Sequence, residues 1–417
     1  MKRESTSAYV NYPGESKSYK WELLILLWFA FFFNQADRQI FSIVMPLIRE
    51  DLSLTDSQLG LISAVLVWTY GLLVPVAGFV GDRFSKKIVI ACSLLFWSGA
   101  TIFTGMCSTV MQFVALRGVA TGGGEAFYAP SANALISIHH KKTRSTALSV
   151  HQTAVYAGII LSGFIAGYIA ENYGWQSAFF SFGFLGIFLS LLIFIRVRKE
   201  VYLPAPAAAS PFGETFQEII KKPTVVFLTF GFACMVFVNV GYLTWMPSFL
   251  AEKFSLSLAN AGFSSMFYHH VGAFFGVIIG GSFSDRISLK NPVYRLYIQA
   301  IALICGAPFI YFLGHADTAV AMYISLFLFG LFRGIYDSNI FAALYEVIRP
   351  CIRSSASGIM LMFAFLTGAF SPYLLGILKP TLGLAAGISW LWTSYFLGSI
   401  FITIAAVFFF KKDAKNI

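Results

Sequence analysis

The chain reads as an all-α membrane protein of twelve transmembrane helices in two six-helix bundles around a central cavity. Three observations predict it. Apolar stretches long enough to cross hydrocarbon recur along the whole length, lysine and arginine collect in alternate loops, and one short Gly/Asp/Arg motif occurs twice at matching places.

Of the 417 residues, 58% are hydrophobic and only 12% charged, about half the charge of a soluble domain. A helix crosses the hydrocarbon in about 20 apolar residues. Spans are predicted at 21–48, 58–81, 88–107, 111–138, 146–169, 177–195, 224–247, 258–283, 293–313, 318–345, 355–377 and 387–410. The first is not read as a cleaved signal, because a polar arm (1–20) precedes it and no small-residue cleavage site follows. Cys92, Cys107, Cys234, Cys305 and Cys351 are isolated and lack metal-ligand spacing, so they read as packing residues.

Orientation follows from the cations, since cationic loops resist translocation. With both termini in the cytoplasm, 23 of the 29 Lys and Arg fall on that side. Three (Arg49, Lys253, Lys379) fall opposite and three (Arg38, Arg117, Arg333) lie inside spans. A multi-pass protein of the cell inner membrane is implied. The net charge of +10 is thereby explained by lipid and topology, without nucleic acid.

The longest polar interval, 196–223, contains Pro204, Pro206 and Pro211 and a short amphipathic piece at 212–220. It reads as a cytoplasmic linker with a surface helix, dividing one bundle (21–195) from a second (224–410) that ends in a tail at 411–417. The halves echo each other. Gly78/Asp82/Arg83 ends span 2 and Gly281/Asp285/Arg286 ends span 8, while Arg144-Ser145-Thr146-Ala147 and Arg353-Ser354-Ser355-Ala356 precede spans 5 and 11. Duplicated bundles are a transporter plan. The glycine is expected to let two backbones approach and the aspartate to lock the cytoplasmic side shut.

Ionisable residues inside spans are costly and therefore functional candidates. Asp37 and Arg38 are neighbours in span 1, pointing about 100° apart, so that one can face a cavity while the other reaches a second helix. Arg117 and Glu125 in span 4 are about 12 Å and 80° apart, so both are expected to line one wall, after the run Gly122-Gly123-Gly124. Burial and a nearby arginine pull a glutamate's titration in opposite directions, as a proton-coupling site requires. Arg333 and Asp337, four residues apart in span 10, share a face and read either as a functional pair or as a self-satisfied structural one. Of the adjacent His269 and His270 in span 8, at most one faces the cavity. His151, Gln152, Tyr156, Asn239 and Tyr242 are further polar groups at cavity depth, whereas His139 and His140 are expected to be solvated in a cytoplasmic loop.

The run Gly78 to Lys87, GFVGDRFSKK, resembles the loop 2–3 signature of the major facilitator superfamily, and the six-plus-six plan fits that fold. It departs at Ser85, where the family usually has a second glycine. The Asp37-Arg38 pair, Tyr70 and RGVATGGGEAFYAP (117–130) resemble the anion:cation symporter family and, nearly as well, spinster-like transporters. That likeness implies proton coupling at Asp37 and Glu125, with Arg38, Arg117 and Tyr70 on the substrate. It departs in spacing. The family's arginine precedes its glutamate by seven residues, and here the interval is eight, which in a regular helix rotates Arg117 by about 100°.

The expectation is a monomeric, proton-coupled symporter of a small organic anion, a sugar acid such as a hexuronate, aldonate or sialate. Gln152, Tyr156 and His270 join the substrate-binding set. A spinster-like carrier of lysophospholipid or another amphiphile is the competing expectation, favoured by 45 phenylalanines. No nucleophile motif, metal cluster or phosphate loop is present in the sequence, so neither an enzyme nor a cofactor is expected.

Overall fold

Side-chain caps fix the helix starts at one end of the molecule. The Gln58 amide donates to Thr55 Oγ1 at 3.3 Å and the Thr55 amide donates to Gln58 Oε1 at 2.8 Å, a capping box that Thr109 and Gln112 repeat. Ser257 and Thr318 accept from the Asn260 and Ala321 amides. Short capped turns make the spans they join antiparallel neighbours.

The computed structural model describes residues 17–140, 143–198, 212–349 and 352–414. These form twelve spans and no strand. The first six are Lys17–Leu52, Asp56–Arg83, Lys86–Thr104, a broken fourth from Val110 to His139, Arg144–Tyr173 and Trp175–Arg196. The next are Pro223–Phe254, Leu258–Ser288 and Tyr294–His315, then a tenth made of Ala319–Asp337 and Ile340–Tyr345. The eleventh starts at Arg353 and the twelfth ends at Ala414, and the turn between them is tighter than the predicted gap at 378–386. Gly383, at φ 75° and ψ 160°, reverses the chain within Phe370–Trp390, a left-handed conformation that glycine adopts without a steric penalty. The amphipathic piece is the helix Phe212–Lys221, fastened by an ion pair from Arg349 to Glu218. Much of the linker, including Pro204, Pro206 and Pro211, lies outside the described residues, as do Cys351 and Lys141, Lys142 and Lys199.

Both ends of the described chain lie at one face, the terminal face, and the capped turns lie at the far face. The two halves meet near the far face through one motif used twice. Ser53 and Ser255 both sit at φ 51°, each followed by Leu, an N-cap (Thr55, Ser257) and, seven residues on, a glycine (Gly60, Gly262). A β-carbon on Gly60 would fall on the Pro372 backbone and one on Gly262 on the Gly163 backbone. Four residues further along spans 11 and 5, Gly376 meets the Asp56 backbone and Gly167 meets Ala259. A charge cluster closes the same face, with Lys379 Nζ 2.7 Å from Glu252 Oε1 and 3.1 Å from Asp56 Oδ1, and Arg49 Nη1 3.4 Å from Asp56 Oδ1. Toward the terminal face spans 2 and 11 diverge. Gly71 still packs on Phe365, but Gly78 and Gly358 face open space.

The close approaches expected at Gly78 and Gly281 are not made in this conformation. Neither Gly78 nor Gly281 makes a close backbone approach, since Gly78 meets nothing within 4 Å and Gly281 only Ser338 Cβ at 3.9 Å. The close packing in the second half uses Gly272, Gly276 and Gly280, which sit on the backbone of span 10 at Phe327, Leu331 and Ile335. Asp285 accepts from Arg295 Nη2 at 2.8 Å, an arginine on the next helix of its own half. Arg83 and Arg286 are exposed, and the Asp82 side chain lies outside the described residues.

Candidate functional site

Between the halves lies a cavity of about 410 Å³, walled by spans 1, 2, 4 and 5 on one side and 7, 8, 10 and 11 on the other. Its charged lining comes from Arg38, Arg117, Arg333 and Asp337. Gln35, Gln39, Tyr70, Gln152, Tyr156, Asn239, Thr244 and His270 add polarity, and among the described residues Phe41 and Phe365 are the phenylalanines that reach it.

Adjacent positions on span 1 diverge as the helix requires. Arg38 turns into the cavity and stacks its guanidinium 3.9 Å from the centroid of the Tyr70 ring, a cation–π contact. Its Nε donates to Glu125 Oε2 at 2.6 Å. Asp37 turns away to span 3 and does not line the cavity. There Thr101 Oγ1 lies 2.6 Å from Asp37 Oδ2 and 3.0 Å from the Trp97 carbonyl. One hydroxyl proton cannot serve both acceptors. With Asp37 ionised, Thr101 donates to it; with Asp37 protonated, the carboxyl donates to Thr101, which turns to the carbonyl. The same heavy-atom positions accommodate both states.

Span 4 departs from regular helix where the spacing departs from the likeness. Val114–Thr121 winds as π-helix, which takes an extra residue into the turn. The extra residue is absorbed there, ahead of the triple glycine, and Arg117 lines the cavity after all. Its Nη2 donates to the Arg38 carbonyl at 2.9 Å. The glycines that follow allow tight packing, Gly122 on the Leu66 backbone and Gly124 on Trp97. They set Glu125 behind Arg38. Glu125 is 1% exposed, so the expectation that it lines the wall with Arg117 is corrected, since it is reached through Arg38. Arg38 Nη2, Arg117 Nη1 and Glu125 Oε1 are buried without a hydrogen-bond partner among the described residues.

Across the cavity, Arg333 Nε lies 3.3 Å from Asp337 Oδ2, and Arg333 Nη1 lies 3.0 Å from His269 Nε2. His270 lines the cavity with its Nδ1 on the Met266 carbonyl at 2.7 Å, and His269 does not, as the adjacency of the two demanded. Gln152, Tyr156 and Asn239 are in the lining, but two expected neighbours are not. His151 is fully buried, stacked on Phe31 with Nε2 3.0 Å from the Tyr128 hydroxyl, and Tyr242 is buried and donates to the Ser265 carbonyl. His139 and His140 are not solvated either. They are buried at the end of span 4, where His140 Nε2 reaches the Lys20 carbonyl at 2.8 Å. One residue of helix phase, about 100°, separates buried His151 and Tyr242 from the lining residues Gln152 and Leu243, and depth along the span does not resolve it.

The family model described as Major Facilitator Superfamily matches residues 27–372. Protein spinster homolog 1 of Xenopus tropicalis is 28% identical over 394 residues, covering 88% of this chain and 74% of that protein. The hexuronate transporter of Bacillus subtilis (strain 168) is 26% identical over 385 residues, covering 88% and 90%. Among solved structures, a bacterial homologue of the human lysosomal transporter Spinster, in an inward-facing and unoccupied conformation, superposes with a TM-score of 0.79 at 20% identity. That match covers 96% of this chain and 98% of that one.

Proposed function

Because the chain belongs to the Major Facilitator Superfamily, we propose that this membrane transporter is a proton-coupled symporter, bringing a small organic anion, a sugar acid such as a hexuronate, aldonate or sialate, into the cytoplasm by alternating access. The observation that carries the reading is the ion pair between cavity-lining Arg38 and fully buried Glu125. The excess of Lys and Arg on the terminal face supports an orientation with that face in the cytoplasm of the cell inner membrane. Closure at the far face then makes the conformation inward-facing.

Three cations (Arg38, Arg117, Arg333) and three acids (Asp37, Glu125, Asp337) belong to the cavity region, and their sum is zero. An anion entering this low-dielectric space carries an uncompensated charge unless an acid is neutralised with it. Protonation of Glu125 releases Arg38 Nε, and Arg38 with Arg117 can then hold a carboxylate bidentately, with Tyr70 fixing the guanidinium plane. Thr101 gives Asp37 a partner in either protonation state. On the inward side, departure of the anion leaves Arg38 unpaired, which expels the proton and restores the ion pair. Gln152, Tyr156 and His270 take up the rest of the cargo, and the chain acts as a monomer. Similarity to the hexuronate transporter of Bacillus subtilis supports this cargo class.

Purified protein in liposomes, given radiolabelled D-glucuronate, D-gluconate or sialate, should accumulate at least one of them under an inward proton gradient and lose that accumulation with a protonophore. Glu125→Gln should bind and exchange the anion but not accumulate it. Uptake by the unaltered protein that ignores pH, or uphill uptake by Glu125→Gln, would refute the proposal. Similarity to spinster homolog 1 favours a second reading, an amphiphile carrier. Two phenylalanines in the lining are few for an acyl chain, and competition by lysophospholipid but by none of the sugar acids would establish that reading instead.

A further inference from the structure

The two walls of the cavity carry different charge sums. On the first-half wall the charges in the lining itself are Arg38 and Arg117, with Glu125 buried behind Arg38 and Asp37 turned to Thr101. On the second-half wall Arg333 and Asp337 cancel. The neighbouring His269 does not alter that sum. An arginine only donates, so His269 Nε2 accepts from Arg333 Nη1 and His269 is the neutral Nδ1–H tautomer. The Met266 carbonyl only accepts, so His270 carries its proton on Nδ1 and, when neutral, offers Nε2 to the cavity as an acceptor. Glycine contacts hold this wall rigidly, since Gly330 sits on the His269 backbone and Gly334 on the Ala273 backbone.

We infer that Arg333 and Asp337 form a charge filter that restricts the cargo to monoanions with a neutral, hydroxylated tail; this rests on the anion-symport reading above. A second carboxylate reaching this wall gains from Arg333 and is opposed by Asp337. An ammonium group gains from Asp337 and is opposed by Arg333. A bare alkyl tail dehydrates the exposed part of the Asp337 carboxylate, the Asn239 amide and His270 Nε2 without replacing the lost water, a cost for every buried polar group. A hydroxyl both donates and accepts, and therefore satisfies Asp337 or His270 together with Arg333. The pair thus acts as a specificity-determining element, and a structural pair would leave selectivity unchanged when altered.

The test is a binding series on one six-carbon skeleton with purified, full-length protein: D-gluconate, D-glucarate (a second carboxylate at the tail), 6-amino-6-deoxy-D-gluconate (an ammonium at the tail) and hexanoate (no hydroxyls), with D-glucuronate as an additional monoanion. The tighter of gluconate and glucuronate is the reference and should bind at least tenfold more tightly than the other three. Asp337→Asn should improve glucarate relative to the reference at least tenfold, and Arg333→Gln should do the same for 6-amino-6-deoxy-D-gluconate. Asp337→Glu, which keeps the charge, should retain the original order and guards against reading misfolding as selectivity. Equal binding of glucarate by the unaltered protein, or an order unchanged in both neutralised variants, would overturn the filter while leaving anion binding intact. Failure of every anion to bind would instead remove the symport reading, and the filter with it.

Discussion

Removing Lys379 should open the far face. Its ammonium lies 2.7 Å from Glu252 and 3.1 Å from Asp56 and sits 5.3 Å from the Trp245 ring centroid, with the side chain only 10% exposed. It ties Asp56, in the first half, to two groups of the second. At an effective dielectric of about 20, one such contact near 3 Å is worth about 5 kcal/mol before dehydration. Exposed pairs retain up to about 1 kcal/mol of that, and breaking a buried pair costs about 3–5 kcal/mol. The half-exposed Arg49 can cover part of the lost charge. A net of about 2 kcal/mol is expected for Lys379→Ala, which shifts the balance between far-face-closed and far-face-open states about 30-fold. The assay uses a cysteine-free background carrying Ser63→Cys in the cavity wall, labelled from the far face with a membrane-impermeant maleimide. Labelling should accelerate by that order in Lys379→Ala and stay near the starting rate in Lys379→Arg. Equal rates in all three proteins would show that the cluster does not hold the face shut.

Gly163→Leu should act in the same direction, because its side chain must occupy the position of the Gly262 backbone; distance measurements between spin labels on spans 5 and 8 should lengthen at the far face while the purified protein still melts cooperatively. Thr101→Val removes the donor 2.6 Å from Asp37 and should cost about 1–3 kcal/mol, read as a lowered Tm that Thr101→Ser restores. If the switching hydroxyl also serves coupling, Thr101→Val should flatten the pH dependence of uptake in liposomes, and an unchanged pH profile would confine Thr101 to a structural role. His140→Ala should destabilise the terminal-face end of the first half through loss of its contact with Lys20, again by about 1 kcal/mol, without altering anion binding.

The membrane plan was legible because it rests on summed quantities, apolar length and alternating cations, that no single contact overrides. Among the charges, adjacency told that Arg38 and Asp37, like His270 and His269, cannot share a wall, and the structure tells which of each lines it. Arg117 and Glu125 were not legible in the same way. The π turns of Val114–Thr121 change the phase between them, and no residue type in that stretch announces a π turn. The far-face motif could have been found. DLSLTDSQLG at 51–60 and KFSLSLANAG at 253–262 share their Ser, Leu, hydroxyl cap and glycine at one spacing, but with Asp56 replaced by Leu258 the charge pattern hides the repeat. The more conspicuous echo, Gly78 and Gly281, lies where spans 2 and 11 have parted, so the close approach expected there is absent from this conformation.

The two halves close with the same backbone motif yet differ in the spans that occupy equivalent places in the cavity. Span 10 holds its arginine and aspartate four residues apart on unbroken helix, so the pair can satisfy itself without any movement. Span 4 holds Arg117 and Glu125 eight apart across π turns and three glycines, so neither can satisfy the other, and each depends on Arg38 of span 1. A charge balanced within one helix is indifferent to relative motion of the helices, whereas one balanced between helices is altered by it. Proton coupling is therefore expected to belong to the first half, where rocking can make and break the Arg38–Glu125 contact. Cargo selection is expected to belong to the second, where the proposed filter lies within a single helix. Exchanging Arg333 and Asp337 in place should accordingly alter which anions bind while leaving coupled uptake of any that still bind, and loss of coupling in that double variant would contradict the division.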